Sequence, residues 1–444
     1  MKESVTLEQL KAFEEAFRAE RANRAAMTAV TNAGVNEASK NQEVLRRTTH
    51  EFSLTLKQGK ITAQKQSGRC WMFAAMNVLR FHMIHSLNLE DFELSQNYTL
   101  FYDKLEKTNY FLENILGTLD EPTEGRLISW LLTAPLNDGG QWDMICSLIG
   151  KYGVVPKYAM PETAVSSMTK EMNAYLTEKL RGFACSLRKG YQAGKSKEEL
   201  IGEKEGMLRE VYNILCVCLG EPPKQFDFEV TAKDGTFHRA LGLSPQDFYK
   251  KYINIDLNEY VSLINAPTAD KPFHQSFTVR FLGNVKEGRQ VRYLNLPIEE
   301  LKRAAVAQMK DGEPVWFGCD VGKRSSREDG VMDLDMYRLE DMFGTDFPMT
   351  KAERLDYGQS LMTHAMVFMG VNLDENGTPN RWRVENSWGE DRGKKGYFVM
   401  SDAWFDEYMY QVVVNKKYLT KEEQKEYEGE PAVLEPWDPM GSLA

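Results

Sequence analysis

Gln64-Lys-Gln-Ser-Gly-Arg-Cys70-Trp-Met-Phe-Ala-Ala-Met-Asn-Val-Leu79 is the stretch on which the reading turns. Beyond Cys70, the residues Met72, Met76, Leu79 and Met83 recur near helical spacing, while Phe73, Ala74, Ala75 and Val78 fill much of the remaining surface. The segment to about Leu87 therefore predicts a central, largely buried helix, and Cys70 opens it. A thiol attacks a carbonyl as its thiolate. A helix N-terminus with an imidazolium nearby can lower a thiol pKa from about 8.5 to roughly 3–4. That placement nominates Cys70 as a nucleophile. The other five cysteines, Cys146, Cys185, Cys216, Cys218 and Cys319, read as small core fillers in a reduced state.

Such a nucleophile requires a base whose ring is held by a third group. Ala365-Met-Val-Phe-Met-Gly-Val371 and Arg381-Trp-Arg-Val384 flank Asp374-Glu-Asn-Gly377, and the Asn-Gly pair favours a hairpin between antiparallel strands. His364 and Asn386 then return to the same end of that hairpin, as base and orienting amide. An oxyanion formed during attack needs donors fixed in advance. The Cys70 backbone N–H and Gln64 are the candidates, with Ser67-Gly68 between them allowing the chain to turn sharply. Each piece has an ordinary alternative. His364 alone could be a satisfied core histidine, Asn386-Ser-Trp-Gly389 a strand-end turn, and Gly139-Gly140 a flexible loop.

In the order Gln, Cys, His, Asn, the blocks Gln64 to Phe73, Thr363-His364-Ala365 and Glu385-Asn386-Ser-Trp-Gly389 resemble the active-site blocks of papain-like cysteine peptidases. The resemblance implies an α+β, two-lobed papain-like fold, with one helical and one β-rich lobe. It also implies that Trp388 shields the His–Asn bond from water and that the backbone of Gly139-Gly140 pairs with substrate. More narrowly, the whole chain resembles the bleomycin hydrolase and aminopeptidase C branch. The 294 positions between Cys70 and His364 leave room for that branch's helical insertion. The ending Glu435-Pro-Trp-Asp-Pro-Met-Gly-Ser-Leu-Ala444 looks like its C-terminal arm, which lies in the cleft as a product would. By resemblance, Ala444 is a specificity element that offers a negative partner to a substrate's α-amino group, and the assembly is a homohexamer.

The remaining sequence divides around these blocks. The expected units are an N-terminal segment packing across the lobes (1–60), a helical lobe with the nucleophile (61–161), a helical insertion with oligomer contacts (162–222), a β-rich lobe (223–430) and the arm (431–444). At the start, Thr6-Leu-Glu-Gln9 is a capping box, and Leu7, Leu10, Phe13 and Phe17 share one side of a helix that should dock on something. Runs such as Phe277-Thr-Val-Arg-Phe-Leu282 and Pro314-Val-Trp-Phe-Gly-Cys319 suit strands.

Composition narrows the function class. The net charge of −10 makes nucleic acid an unlikely partner, and nothing approaches the roughly 20 apolar residues of a membrane span. The first residues lack an export signal, which predicts a cytoplasmic protein. No cofactor or metal is expected; His82 and His85 have no third ligand in view and read as structural. The expectation is a thiol aminopeptidase acting on short peptides with a free N-terminus. An endopeptidase of the same branch and a non-catalytic scaffold that retains the fold are the alternatives.

Overall fold

The computed structural model describes residues 4–444. The helix opened by Cys70 runs Cys70–Ser86 and is buried on nearly every side, as a segment with apolar residues around its whole circumference must be. Around it pack the helices Gln96–Leu116 and Trp142–Tyr152. The first of these starts at Ser95, whose side chain accepts from the Tyr98 N–H, and the second stops at Gly153, whose φ of 70° is a left-handed conformation.

Two long helices, Lys170–Gln192 and Lys197–Leu219, make the insertion. They pack on each other and on Gln96–Leu116 through Leu176, Leu180, Val211 and Leu215. A capping box between Ser196 and Glu199 starts the second one, just after the polar turn.

Among the described residues, twelve strands form one mixed sheet. At its centre, Val315–Cys319 lies between Met409–Asn415 and His364–Leu373, antiparallel to both. The strand His364–Leu373 then turns through Asp374 to Thr378 and returns as Pro379–Glu385, again antiparallel. One face of the sheet meets the helix Ile298–Lys310 and the residues Trp382, Phe405 and Val412 in a second core. Its other face, through Ala365, Val367 and Met369, joins the core that contains the Cys70 helix. The fold is α+β, with the Cys70 helix seated against the sheet.

Three expectations change in detail. The run 277–282 forms a strand only to Val279, because the chain turns at Phe281, whose φ is 61°. Among the described residues, the apolar side of Leu7–Ala19 is left uncovered; Leu7, Phe13 and Phe17 stay exposed, and the helix packs with its neighbour Arg21–Ala33. The crossing between lobes starts later. Asn41 N–H donates to Met336 O at 2.9 Å, Leu54–Thr55 pairs with Val371 and Gly370, and Ala63 bridges to Trp388.

Candidate active site

His364 is the first residue of its strand and Asn386 follows the last residue of the strand beside it, so the hairpin brings them together. His364 Nε2 lies 3.0 Å from Asn386 Oδ1. A carbonyl oxygen only accepts, so Nε2 carries the hydrogen and Nδ1 keeps its lone pair. The Trp388 ring lies 4.8 Å from the imidazole, centre to centre, and the Arg327 guanidinium lies over the Trp388 ring, 4.2 Å from its centre.

Cys70 meets this pair across the lobes. The backbone N–H of Ala365, the residue after His364, and those of Trp71 and Cys70 itself at the helix start favour its thiolate. Trp316 Nε1 donates to Trp71 O at 3.1 Å, which locks the helix start to the sheet. The thiol is only 3% exposed, and burial pushes it up to about 11, against the pull of those three N–H groups. Burial likewise draws His364 down to about 4, with Asn386 opposing and Arg327 assisting. The expected depression of the thiol is therefore reversed in the closed cleft. Loss of water works against the anion, and the helix terminus works for it.

Gln64 is tied to the Asn386 segment. Its N–H donates to Ser387 O at 2.8 Å, its Oε1 accepts from Ser387 Oγ at 2.6 Å, and its Nε2 donates to Ser67 O at 2.6 Å. An amide nitrogen has two hydrogens, so one remains for a ligand. The sequence offers no signal for the parts played here by Ser387 and Arg327, since both depend on cross-chain proximity.

Gly139 and Gly140 face the end of the chain. Gly140 N–H donates to Ala444 O at 3.2 Å, and Gln141 Nε2 to Ser442 O at 2.7 Å. A Cβ on Gly139 would come within 2.8 Å of Ala444 O, and one on Gly140 within 2.6 Å of the Trp71 ring, so neither position tolerates a side chain. Ser442 Oγ donates to Met362 O, Tyr293 OH to Met440 O, and the Lys271 ammonium pairs with Asp438 at 2.8 Å. The arm is thus an ordered part of the cleft, with Ala444 buried.

His82 Nε2 meets Glu313 at 2.9 Å and His85 Nε2 meets Lys57 O at 2.8 Å. Among the described residues, no group of three or more His, Cys, Asp or Glu side chains could hold a metal ion.

Comparison with known proteins decides the family. The model of the Peptidase C1-like family matches residues 4–441. The chain belongs to this family. Within it the relatives are of one branch. Aminopeptidase C of Listeria monocytogenes is 52% identical over 444 residues, covering all of both chains. Bleomycin hydrolase of Mus musculus is 44% identical over 391 residues, 86% of each. The crystal structure of PepW from Lactobacillus rhamnosis superposes with a TM-score of 0.98 at 51% identity, over the full length of both. The papain-like reading and the narrower branch both stand.

Proposed function

We propose that this protein is a cytoplasmic thiol aminopeptidase that removes residues one at a time from short peptides with a free N-terminus. The observation that carries the reading is the arm. Ala444 lies buried against Gly140, which also packs on the ring of Trp71, the residue after Cys70. In this reading the carboxyl group of Ala444 pairs with the substrate's α-ammonium and leaves room for a single residue before the scissile bond. The relatives named aminopeptidase C, about half identical along the whole chain, support the same activity.

The chemistry follows from the geometry. As substrate enters, His364 Nδ1 takes the Cys70 proton and the sulfur attacks the first peptide carbonyl. The Nε2–H donated to Asn386 Oδ1 stabilises the imidazolium, and Trp388 keeps water from that bond. The Cys70 N–H and Gln64 Nε2–H receive the oxyanion. The imidazolium then protonates the leaving amine, and the C–N bond breaks. Water, deprotonated by Nδ1, attacks the thioester, releasing the free amino acid and restoring the thiol.

Among the described residues no helix is long and apolar enough to cross a membrane, which suits the proposed location. A homohexamer is part of the proposal. The apolar side of Leu7–Ala19 and the exposed Tyr175, Ile201 and Val217 of the insertion are its candidate contacts.

The test is a cleavage map of free and N-acetylated peptides. Turnover of free peptides only, abolished in Cys70→Ala, is expected; cleavage of blocked peptides at internal bonds by the intact chain would replace the exopeptidase reading with an endopeptidase one. Unchanged turnover in Cys70→Ala would remove the thiol mechanism.

A further inference from the structure

The segment joining the helical lobe to the insertion reaches back into the cleft. Arg69, immediately before Cys70 and fully buried, makes a bidentate pair with Glu162, at 3.0 and 2.7 Å. Its Nε donates to Ser67 Oγ at 2.8 Å, and Gln66 N–H donates to Ser167 O at 3.0 Å. The loop from Gln64 to Arg69 is thus held on one side by residues 162–167.

A second set of contacts converges on Asp138. Its carboxylate accepts from Gly68 N–H at 3.0 Å, Lys104 Nζ at 2.6 Å, Asn173 Nδ2 at 2.7 Å, and the Thr169 hydroxyl. Its own carbonyl accepts from Trp71 Nε1 at 2.6 Å. Burial alone would raise this carboxyl, yet Lys104 and the hydrogen bonds from Thr169 and Asn173 hold it well below the usual carboxylate range, so it is anionic at every working pH. Lys107 Nζ braces the next residue by donating to Gly139 O at 2.6 Å. One carboxylate therefore joins three parts of the chain: the loop before Cys70, the glycines that face Ala444, and the root of the insertion.

We propose that Asp138 is a positioning residue for the reaction, setting the Gln64–Arg69 loop in register with Gly139-Gly140, and that Thr169 and Asn173 make the insertion root part of that device. The inference rests on the aminopeptidase reading above, because the loop matters only if it carries the oxyanion donors. Asp138 touches no reacting atom. Its charge raises the Cys70 thiol through space, and its geometric influence runs through Gly68 N–H and Trp71, where a displacement of about 1 Å can cost on the order of 100-fold in rate.

The experiment compares two reactions of Cys70 in the full chain. Hydrolysis of an aminoacyl amide needs the oxyanion donors, whereas alkylation by iodoacetamide displaces iodide from carbon and develops no oxyanion. Asp138→Asn keeps the side-chain shape but turns an NH2 group either toward Lys104 and Asn173 or toward Gly68 N–H and Thr169. A 10- to 100-fold fall in kcat is expected, with KM within about threefold and alkylation no slower than in the wild type. Unchanged kcat, or a fall matched by an equal fall in alkylation, overturns the proposal. Should Asp138→Asn fail to fold, the double variant Thr169→Val with Asn173→Ala, which keeps the Lys104 pair, decides. A several-fold loss of kcat with alkylation maintained supports the proposal, and wild-type kcat sinks it. Wild-type turnover and its loss in Cys70→Ala test the underlying reading separately.

Discussion

Removal from water sets the chemistry of individual residues here. His364 is buried and uncharged, with its pKa drawn from 6.5 to about 4. A base depressed in the folded state binds its proton more readily when unfolded. Its contribution to stability is present above pH 6.5 and is lost as pH falls through about 4. The effect is worth up to about 3 kcal/mol. Urea unfolding between pH 7 and 4 should show this loss in the wild type and a flatter profile in His364→Gln; identical profiles would mean the ring is not buried neutral. Cys70 and His364 were recognisable as candidates from residue type and order, because the blocks around them and Asn386 have characteristic local contexts. The direction of their pKa shifts was not recognisable. It depends on how much water the opposing lobe and the arm exclude, which no local pattern records.

At the level of elements, the nucleophile helix and the hairpin must keep a fixed separation. A buried ion pair spans them: Arg80, on the Cys70 helix, lies 3.3 Å from Glu385, the residue before Asn386, and both are almost fully buried. Gln58 also donates to Glu385, and Arg80 donates to Lys60 O at 2.6 Å. Burial raises the Glu385 carboxyl, and Arg80, Gln58 and Arg383 oppose that rise. Replacing Glu385 with Ala leaves the buried guanidinium only the longer contact to the half-exposed Asp91, at 3.8 Å, and should cost about 3 kcal/mol of unfolding free energy, read by denaturant titration. Activity should fall further than the unfolded fraction explains, because Asn386 moves with the strand end. The helix and the hairpin themselves were legible, through the apolar run after Cys70 and the turn residues Asn376-Gly377. The pair was not, since 305 positions separate its members.

For the whole molecule, what the chain leaves uncovered and what it fills are both informative. Leu7, Leu10, Phe13 and Phe17 line one side of a capped helix and remain exposed, so the chain bears an apolar surface that another copy can cover. Replacing Leu10 and Phe13 with Glu should lower the particle mass measured by native mass spectrometry while leaving the circular dichroism unchanged. An undiminished particle would remove this helix from the assembly contacts. At the other end, the arm closes the cleft beside an apolar cavity of about 290 Å³ lined by Phe111, Leu136, Met144 and Leu443. Deleting residues 441–444 should open that space to longer peptides. Cleavage of N-blocked substrates should then appear where the full chain shows none; continued exclusion of blocked peptides would mean that something other than the arm closes the cleft.

By itself the sequence determined the ordered blocks around Gln64, Cys70, His364 and Asn386, whose resemblance implied the α+β class, and the hairpin that unites the last two. Each of these is written in short-range periodicity, turn residues or characteristic neighbours. Only the tertiary structure decided that burial raises the Cys70 thiol, that Gln64 is tied to Ser387, that Asp138 gathers the insertion onto the loop before Cys70, and that the first helix stands uncovered. Those features arise from desolvation and from contacts between residues tens to hundreds of positions apart. Their energies depend on where the folded chain excludes water, and adjacency in sequence carries no record of that.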